Sequence, residues 1–361
     1  MKNRTRTINP RLKSGVKFWR SDLNRQLFIG TRFKNYLLPD FFGDFAIEPA
    51  LALLKTGKLE PERHAVLIAA LKGLNLIDSQ STELNYQYRD NRSDDIGSLS
   101  MRSVAEESFL ARFEIEARGV SGAEGVTDGG VARVLARRDF FIEIYGTGRI
   151  LFPLLSNLIA SGFDNCVIAT RFEIKLLDLC GGFLRRSDSG FDATRKLIAL
   201  KEEVSLYPEF LGYGGKPDLI ISIGSPAPEV MQSWLTLKIP QLFIDYENSG
   251  ELRIGPYVIP GNGACYNCLS IGEIERGLPS FNSLLGNIES EKKSHSLASE
   301  FELTASLASL GASLVALETI KIADSENSNL HQRTMLISSL NYLEPQITSW
   351  ERSPRCGCNW S

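Results

Sequence analysis

At 361 residues, 43% of them hydrophobic, the chain is too long for one small core and too apolar to remain unfolded, so two or three folded bodies are expected. A formal charge of -3 argues against nucleic acid as the main partner, which selects a strongly basic face. No window approaches 18 consecutive apolar residues, and the start Met1-Lys2-Asn3-Arg4 lacks the apolar core of a secretion signal, so the expectation is a cytoplasmic protein with no membrane partner.

The first 20 residues hold seven Lys or Arg and no acid, which reads as a solvated tail. Three β-like segments follow, Val16 to Arg20, Gln26 to Gly30 and Phe33 to Leu38, and predict a three-stranded meander. Beyond Pro39 the apolar period becomes helical. Ala46, Ile47, Ala50, Leu51, Leu53 and Leu54 mark one helix ending at Gly57, and Pro61 opens a second that carries Val66, Leu67, Ala70 and Leu71. Three strands and two or three short helices describe a winged-helix-like domain over residues 1–90.

A polar stretch from 78 to 98, an amphipathic helix from Met101 to Arg118 and a loop with five glycines from Gly119 to Gly130 fill 91–138 as linker and helix. The large domain then spans 139–361. Phe140 to Tyr145 reads as a buried strand, Gly146-Thr147-Gly148 as a tight turn, Ile150 to Ala160 as a helix and Cys166 to Ala169 as a second strand. That order is a βαβ unit with parallel strands. Strands at Leu219 to Ile223, Gln241 to Asp245 and Ile254 to Pro260, a helix at Glu229 to Leu237, a long apolar helix at Leu303 to Ile322, and late strands at Thr334 to Ser339 and Pro345 to Trp350 complete a Rossmann-like α/β domain.

Cys265-Tyr266-Asn267-Cys268 and Cys356-Gly357-Cys358 are two close cysteine pairs, and the spacing points to zinc rather than a disulfide in a reducing compartment. Two tight pairs supply four thiolates for a tetrahedral structural site while ordering little chain. Cys166 and Cys180 read as core thiols. The histidines His64, His295 and His331 show no metal spacing and no nucleophile beside them, and the acids offer no defensible catalytic pair.

Gly146 and Gly148 after a strand could bring backbone close to phosphates at a helix N-terminus. The third glycine of a dinucleotide fingerprint would fall at Leu151, and the second strand ends in Thr170-Arg171 rather than an acid, so an NAD(P)-dependent oxidoreductase is the weakest of three readings.

The order of motifs from Gly146 to Cys358 resembles the ThiF-like superfamily, relatives of ubiquitin-activating enzymes. Its carriers are the glycine turn, Gly181-Gly182-Phe183, Asp188-Ser189-Gly190, Arg195, the strand Gly255-Pro256-Tyr257-Val258-Ile259-Pro260, and both cysteine pairs. Within it the chain is most similar to the leader-peptide-binding partner proteins of azole-forming, bacteriocin-type ribosomal peptide biosynthesis. The first domain resembles their precursor-recognition element. The resemblance implies that a precursor leader adds as a strand beside Lys34, Tyr36 and Leu38 and lies against Arg63, Val66 and Leu67. It further implies a homodimer and a YcaO-type enzyme subunit that spends ATP on cyclodehydration.

Departures from the ATP-using pattern imply a degenerate nucleotide site at Gly146, Gly148, Arg149, Asp188 and Arg195, with ATP doubtful as a cofactor and no catalytic residue. Thr170 and Phe172 stand where an acidic pair is expected, Leu177 to Cys180 replace an Asn-x-x-Arg segment, and Ala193 replaces a lysine. The alternative is a stand-alone ATP-dependent adenylating enzyme in which Arg149, Arg185, Arg186, Arg195 or Lys196 compensates.

Overall fold

The computed structural model describes residues 10–13, 16–30, 35–42, 45–74, 76–78, 136–169, 171–179, 183–205, 214–224, 226–246, 250–277, 303–325 and 327–360. The chain divides into two compact units, Met1–Ala136 and Arg137–Ser361. The expected helix from Met101 to Arg118 and the glycine loop after it lie outside the described residues.

In the first unit, strands β2 (Lys17–Arg20), β3 (Leu27–Gly30) and β4 (Asn35–Leu38) form the antiparallel meander. Period-2 alternation sends Leu27 and Ile29 into a core shared with helices α1 (Ile47–Lys55) and α2 (Ala65–Gly73). Ile47, Ala50, Leu51 and Leu54 form the buried stripe of α1, and Leu67 and Leu71 that of α2. Helix α2 begins four residues later than Pro61 suggested. The His64 ring bonds the Glu60 carbonyl at 3.1 Å and meets the Phe45 ring edge-on at 4.7 Å, which holds the chain off helical geometry up to that point. Four strand pieces were not anticipated: β1 (Arg11–Leu12) pairs with β7 (Ile77–Asp78), and β5 (Phe41–Phe42) with β6 (Phe45–Ala46). Two-residue strands are too short to show alternation.

The second unit is built on a seven-stranded mixed sheet. Strands β8 (Ile142–Tyr145), β9 (Cys166–Ile168), β10 (Leu219–Ile223) and β11 (Gln241–Tyr246) run parallel. The antiparallel strands β12 (Leu252–Val258), β13 (Arg333–Ile337) and β14 (Gln346–Ser349) give the order β14-β13-β12-β11-β10-β8-β9. Strand β10 is buried at all five positions, as a central parallel strand with both faces covered must be. Helices α3 (Leu151–Ala160), α4 (Ala193–Val204) and α7 (Ala305–Ala323) pack on one face. Helices α5 (Pro228–Thr236) and α6 (Tyr266–Glu275) cover the other.

Helices α4 and α6 were not expected. The α4 segment mixes its buried Ala193, Leu197 and Leu200 with five charged residues, and the buried residues of α6 include Ser270 and Glu273, so neither shows a clean stripe. Buried ion pairs replace apolar contacts at two joints. Arg253 of β12 reaches Asp245 at 3.2 Å and Glu273 at 2.5 Å, tying α6 to the sheet. Arg137 pairs with Asp324 after α7 at 2.9 Å and donates to the Ser161 carbonyl after α3 at 3.1 Å. Among the described residues α7 alone is long and apolar enough to cross a bilayer, and half of its apolar window is buried in this fold.

Candidate functional site

From β8 the chain crosses to β9 on one side and later returns to β10 on the other, so the carboxyl ends of β8 and β10 flank a topological switch point. Open α/β sheets bind ligands in the crevice at such points. Here the crevice is floored by backbone. Gly146 has φ +92°, and a Cβ on it would stand 1.9 Å from the Ile223 carbonyl oxygen. Gly148 has φ +120°, and a Cβ there would meet the Tyr246 hydroxyl at 2.9 Å. Only glycine lets the turn lie this close to β10 and β11. The turn runs straight into α3, where the Leu151 N–H bonds the Gly148 carbonyl at 3.1 Å and Pro153 has no N–H, which leaves Phe152 as the first-turn donor toward an anion. Arg149 is half-buried and donates to the Leu303 carbonyl at 2.8 Å, fixing the start of α7 beside the turn. Leu151 is fully buried, so the third position of a dinucleotide fingerprint is a packing residue.

Asp188 and Arg195 belong to a second group, the segment leading into α4. Asp188 accepts from the Arg185 N–H at 2.6 Å and pairs with Lys196 Nζ at 3.2 Å, both side chains being 15% exposed. Burial pushes the Asp188 carboxyl up, but the Arg185 N–H and the Lys196 ammonium outweigh it and hold the group below its ordinary value. Arg195 is exposed and lies over the Phe191 ring at 5.0 Å. Ala193 is fully buried, and Lys196 stands one turn further along α4 on the same side. Arg171, Arg185 and Arg186 are exposed, and Phe172 packs against the core. Thr170 and Cys180 lie outside the described residues.

At the other functional cluster, the sulfurs of Cys265, Cys268, Cys356 and Cys358 all lie within 4.8 Å of one another. Cys265 and Cys268 are 3.8 Å apart, and Cys265–Cys356 and Cys268–Cys358 are each 3.5 Å. Zinc–sulfur bonds of about 2.3 Å in a tetrahedron put sulfurs roughly 3.8 Å apart, so the donor set fits a four-thiolate centre. Cys265 is the N-cap residue of α6 and Cys268 lies in its first turn. The second pair is brought up by Arg352, which donates to the carbonyls of Gly263 and Gly261 at 3.1 and 3.0 Å. Burial pushes the Cys265 thiol far up and, with hydrogen bonds from its neighbours, the Cys358 thiol to about 11. At Cys268 backbone hydrogen bonds with Ser353 and Cys265 outweigh burial and lower the thiol. Sulfurs packed this closely resist joint ionisation unless a cation sits among them.

In the first unit β4 is an edge of the meander, with no strand on its outer side among the described residues. Tyr36 and Leu38 are half-buried against the core, Arg63 is exposed and Val66 is 67% exposed. Leu67 is core at 1% exposure, and Lys34 lies outside the described residues. Of the histidines, His331 bonds the Asn262 carbonyl at 3.2 Å and His295 lies outside the described residues. Sequence reasoning missed Ile223 and Tyr246 as walls of the crevice, because contacts between strands leave no local pattern.

No protein family model matches the chain, and no curated protein matches it. Solved structures do. E. coli MccB with ATP shares 15% identity at TM-score 0.61, covering 98% of this chain and 99% of that one. The microcin C7 biosynthetic enzyme MccB in complex with N-formylated MccA shares 16% identity at TM-score 0.58, over 97% and 99%. PaaA shares 12% identity at TM-score 0.62, over 94% and 100%. A doubt about ATP draws no support from these neighbours, one of which holds it. At such identities the likeness establishes the fold alone: this chain shares the α/β fold of MccB and PaaA.

Proposed function

We propose that the chain captures a ribosomally made precursor peptide with its N-terminal unit and takes part in modifying that peptide at the glycine crevice. The supporting observation is extent: the likeness to MccB holding MccA runs through 97% of this chain, its N-terminal unit included.

In this reading the first unit is a winged-helix-like recognition module. The open edge of β4 accepts an extended leader as an added strand, with main-chain hydrogen bonds for affinity and alternate side chains for specificity. Tyr36, Leu38 and Val66 supply apolar contacts, the exposed Arg63 supplies charge, Leu67 supports them from the core, and Lys34, outside the described residues, stays a proposed contact by sequence position.

For the chemistry, the geometry favours ATP-dependent activation within this chain. Gly146 and Gly148 form a cradle that any Cβ would fill, and Lys196 on Asp188 supplies a cation one turn from the alanine that replaces the expected lysine. ATP, when bound, supplies an activated phosphoryl or adenylyl group for a peptide oxygen. The chain's part is to offer the Phe152 N–H at the start of α3 to a phosphate oxygen and to hold the crevice in shape through Arg149. The second reading is presentation of the peptide to a separate YcaO-type subunit, favoured by Phe172, which packs in the core where an acid for ribose and metal is expected. In both readings the four cysteines hold a closed structural zinc, and the protein works as a cytoplasmic homodimer.

Calorimetric titration with Mg-ATP, and AMP release with the peptide encoded beside the gene, separate the two. Nucleotide binding and AMP release by the chain alone support activation, and peptide binding without nucleotide supports presentation. Failure to bind the peptide at all refutes both.

A further inference from the structure

The face of the meander turned away from the first unit's core carries one row of large apolar side chains. Trp19, Phe28 and Leu37 stand side by side in the register of β2, β3 and β4, and none belongs to the core that Leu27, Ile29, Tyr36 and Leu38 help to form. Leu37 is 56% exposed and Trp19 38%. The Trp19 and Phe28 rings stack at 5.9 Å and 17°, which orders the Phe28 ring beside Leu37. The neighbouring row on the same face, Lys17, Gly30 and Asn35, has no large apolar group. Apolar character on this face is thus confined to a single row that runs out to the edge of β4.

Strands β2 and β4 are the two edges of the meander, and charge separates them. β2 begins on Lys17 and ends on Arg20, and charged side chains on an edge strand oppose pairing with a further strand. β4 is Asn35-Tyr36-Leu37-Leu38, carries no charge, and pairs with β3 alone among the described residues. Pro39 has no N–H, so the row of donors stops at Leu38 and a strand added here is short. Side chains of such a strand alternate between the faces, one set falling beside Tyr36 and Leu38 and the other beside Leu37 and Asn35. Adjacent strands lie about 4.8 Å apart, so an outward side chain opposite Leu37 touches Leu37 directly and a large one reaches Phe28, while Trp19 stands roughly 14 Å away.

We infer that a leader captured at β4 is read from both faces of the sheet: its inward side chains meet Tyr36 and Leu38, and its outward ones rest on Leu37, backed by Phe28. The inference rests on the leader capture proposed above, and it names the class of leader selected. That leader carries large apolar residues at neighbouring positions, rather than the strict alternation of apolar and polar that suits a strand with one face in water. Two residues on from the side chain that meets Leu37, the next outward one falls beside Asn35 and is polar. The stacked Trp19 and Phe28 rings set this outer flank before the leader arrives, which lowers the ordering cost of binding.

Fluorescence anisotropy of the labelled precursor peptide encoded beside the gene, titrated with the full chain, tests the inference. Leu37→Ser should raise the peptide Kd about threefold to fivefold, the range of one lost cross-strand apolar pair, and Trp19→Ala less than about twofold. A serine scan of the peptide against the wild-type chain, which needs no variant to fold, should find two sensitive positions side by side. The outward one of the two should lose its effect on the Leu37→Ser chain. Sensitive positions that only alternate, or a Leu37→Ser chain that binds as the wild type does, overturn the two-faced reading and leave leader capture standing. A larger loss for Trp19→Ala than for Leu37→Ser moves the leader to β2 and overturns it as well. A wild-type chain that does not bind the peptide refutes leader capture itself, and the inference with it.

Discussion

Replacing Gly146 by alanine tests the crevice most directly, because two separate costs can be worked from its surroundings. A left-handed backbone costs an ordinary residue about 1–2 kcal/mol, and Gly146 sits at φ +92°. The added Cβ would also stand 1.9 Å from the Ile223 carbonyl oxygen, so the end of β10 must shift. Overpacking of that kind costs a further ~1–3 kcal/mol. Gly190 provides the control: its φ is +86°, but nothing lies within 4 Å of its Cβ position, so only the first cost applies. Urea unfolding followed through Trp234 and Trp350, which are buried with only 3% and 5% of their surface exposed, reports on this unit. With an m-value of about 2–3 kcal/mol/M, the midpoint for Gly146→Ala should fall below that for Gly190→Ala by roughly 0.5–1 M. Equal midpoints would mean that the turn does not lie against β10, and the argument for a backbone-floored crevice would fail.

Other outcomes follow from the same geometry. Metal analysis should find about one zinc per chain, and Cys265→Ser should release it and speed amide exchange around Ser353 and Cys356, since metal binding is coupled to folding; unchanged exchange in metal-free protein would count against the site. The Asp188 carboxyl is held below its unfolded value, so its pairing with Lys196 contributes stability above the ordinary carboxylate range and loses it as pH falls through the depressed value. Asp188→Asn should flatten that acid limb of the stability profile, and a profile identical to wild type would refute the pairing. On α2, Leu67→Ala should cost about 2–5 kcal/mol, while the exposed Val66→Ala stays within about 0.5 kcal/mol yet weakens leader capture in fluorescence anisotropy. Equal stability losses for the two would mean that the phase of α2 is misassigned.

Elements whose signal is local could be read from the chain itself. The meander announces itself through alternation in Leu27-Phe28-Ile29, and β10 through an unbroken apolar run between turn residues. The cysteine pairs carry their chemistry in their spacing, and the four sulfurs do meet. What escaped depends on partners distant in sequence. Helix α6 spends its inward face on Cys268, Ser270 and Glu273, residues whose burial makes sense only beside Cys356 and Arg253. Lys196 was one of five candidate compensating cations in the sequence, and what the chain alone did not show is that α4 sets it one turn from Ala193 and against Asp188. Val66 and Leu67 are neighbours in sequence with opposite exposures, a distinction set by the phase of α2 against β3 and α1.

The four-sulfur cluster also has a consequence in time. Its halves lie 90 residues apart, so at ribosomal speeds of roughly 5–20 residues per second the first cysteine pair waits about 5–18 s for the second. During that interval Cys265 and Cys268 form a bidentate thiol half-site open to copper, to oxidants or to a second nascent chain. A metal held by all four sulfurs would therefore be enclosed only after β13 and β14 have been made, because Cys356 and Cys358 follow both strands in the chain.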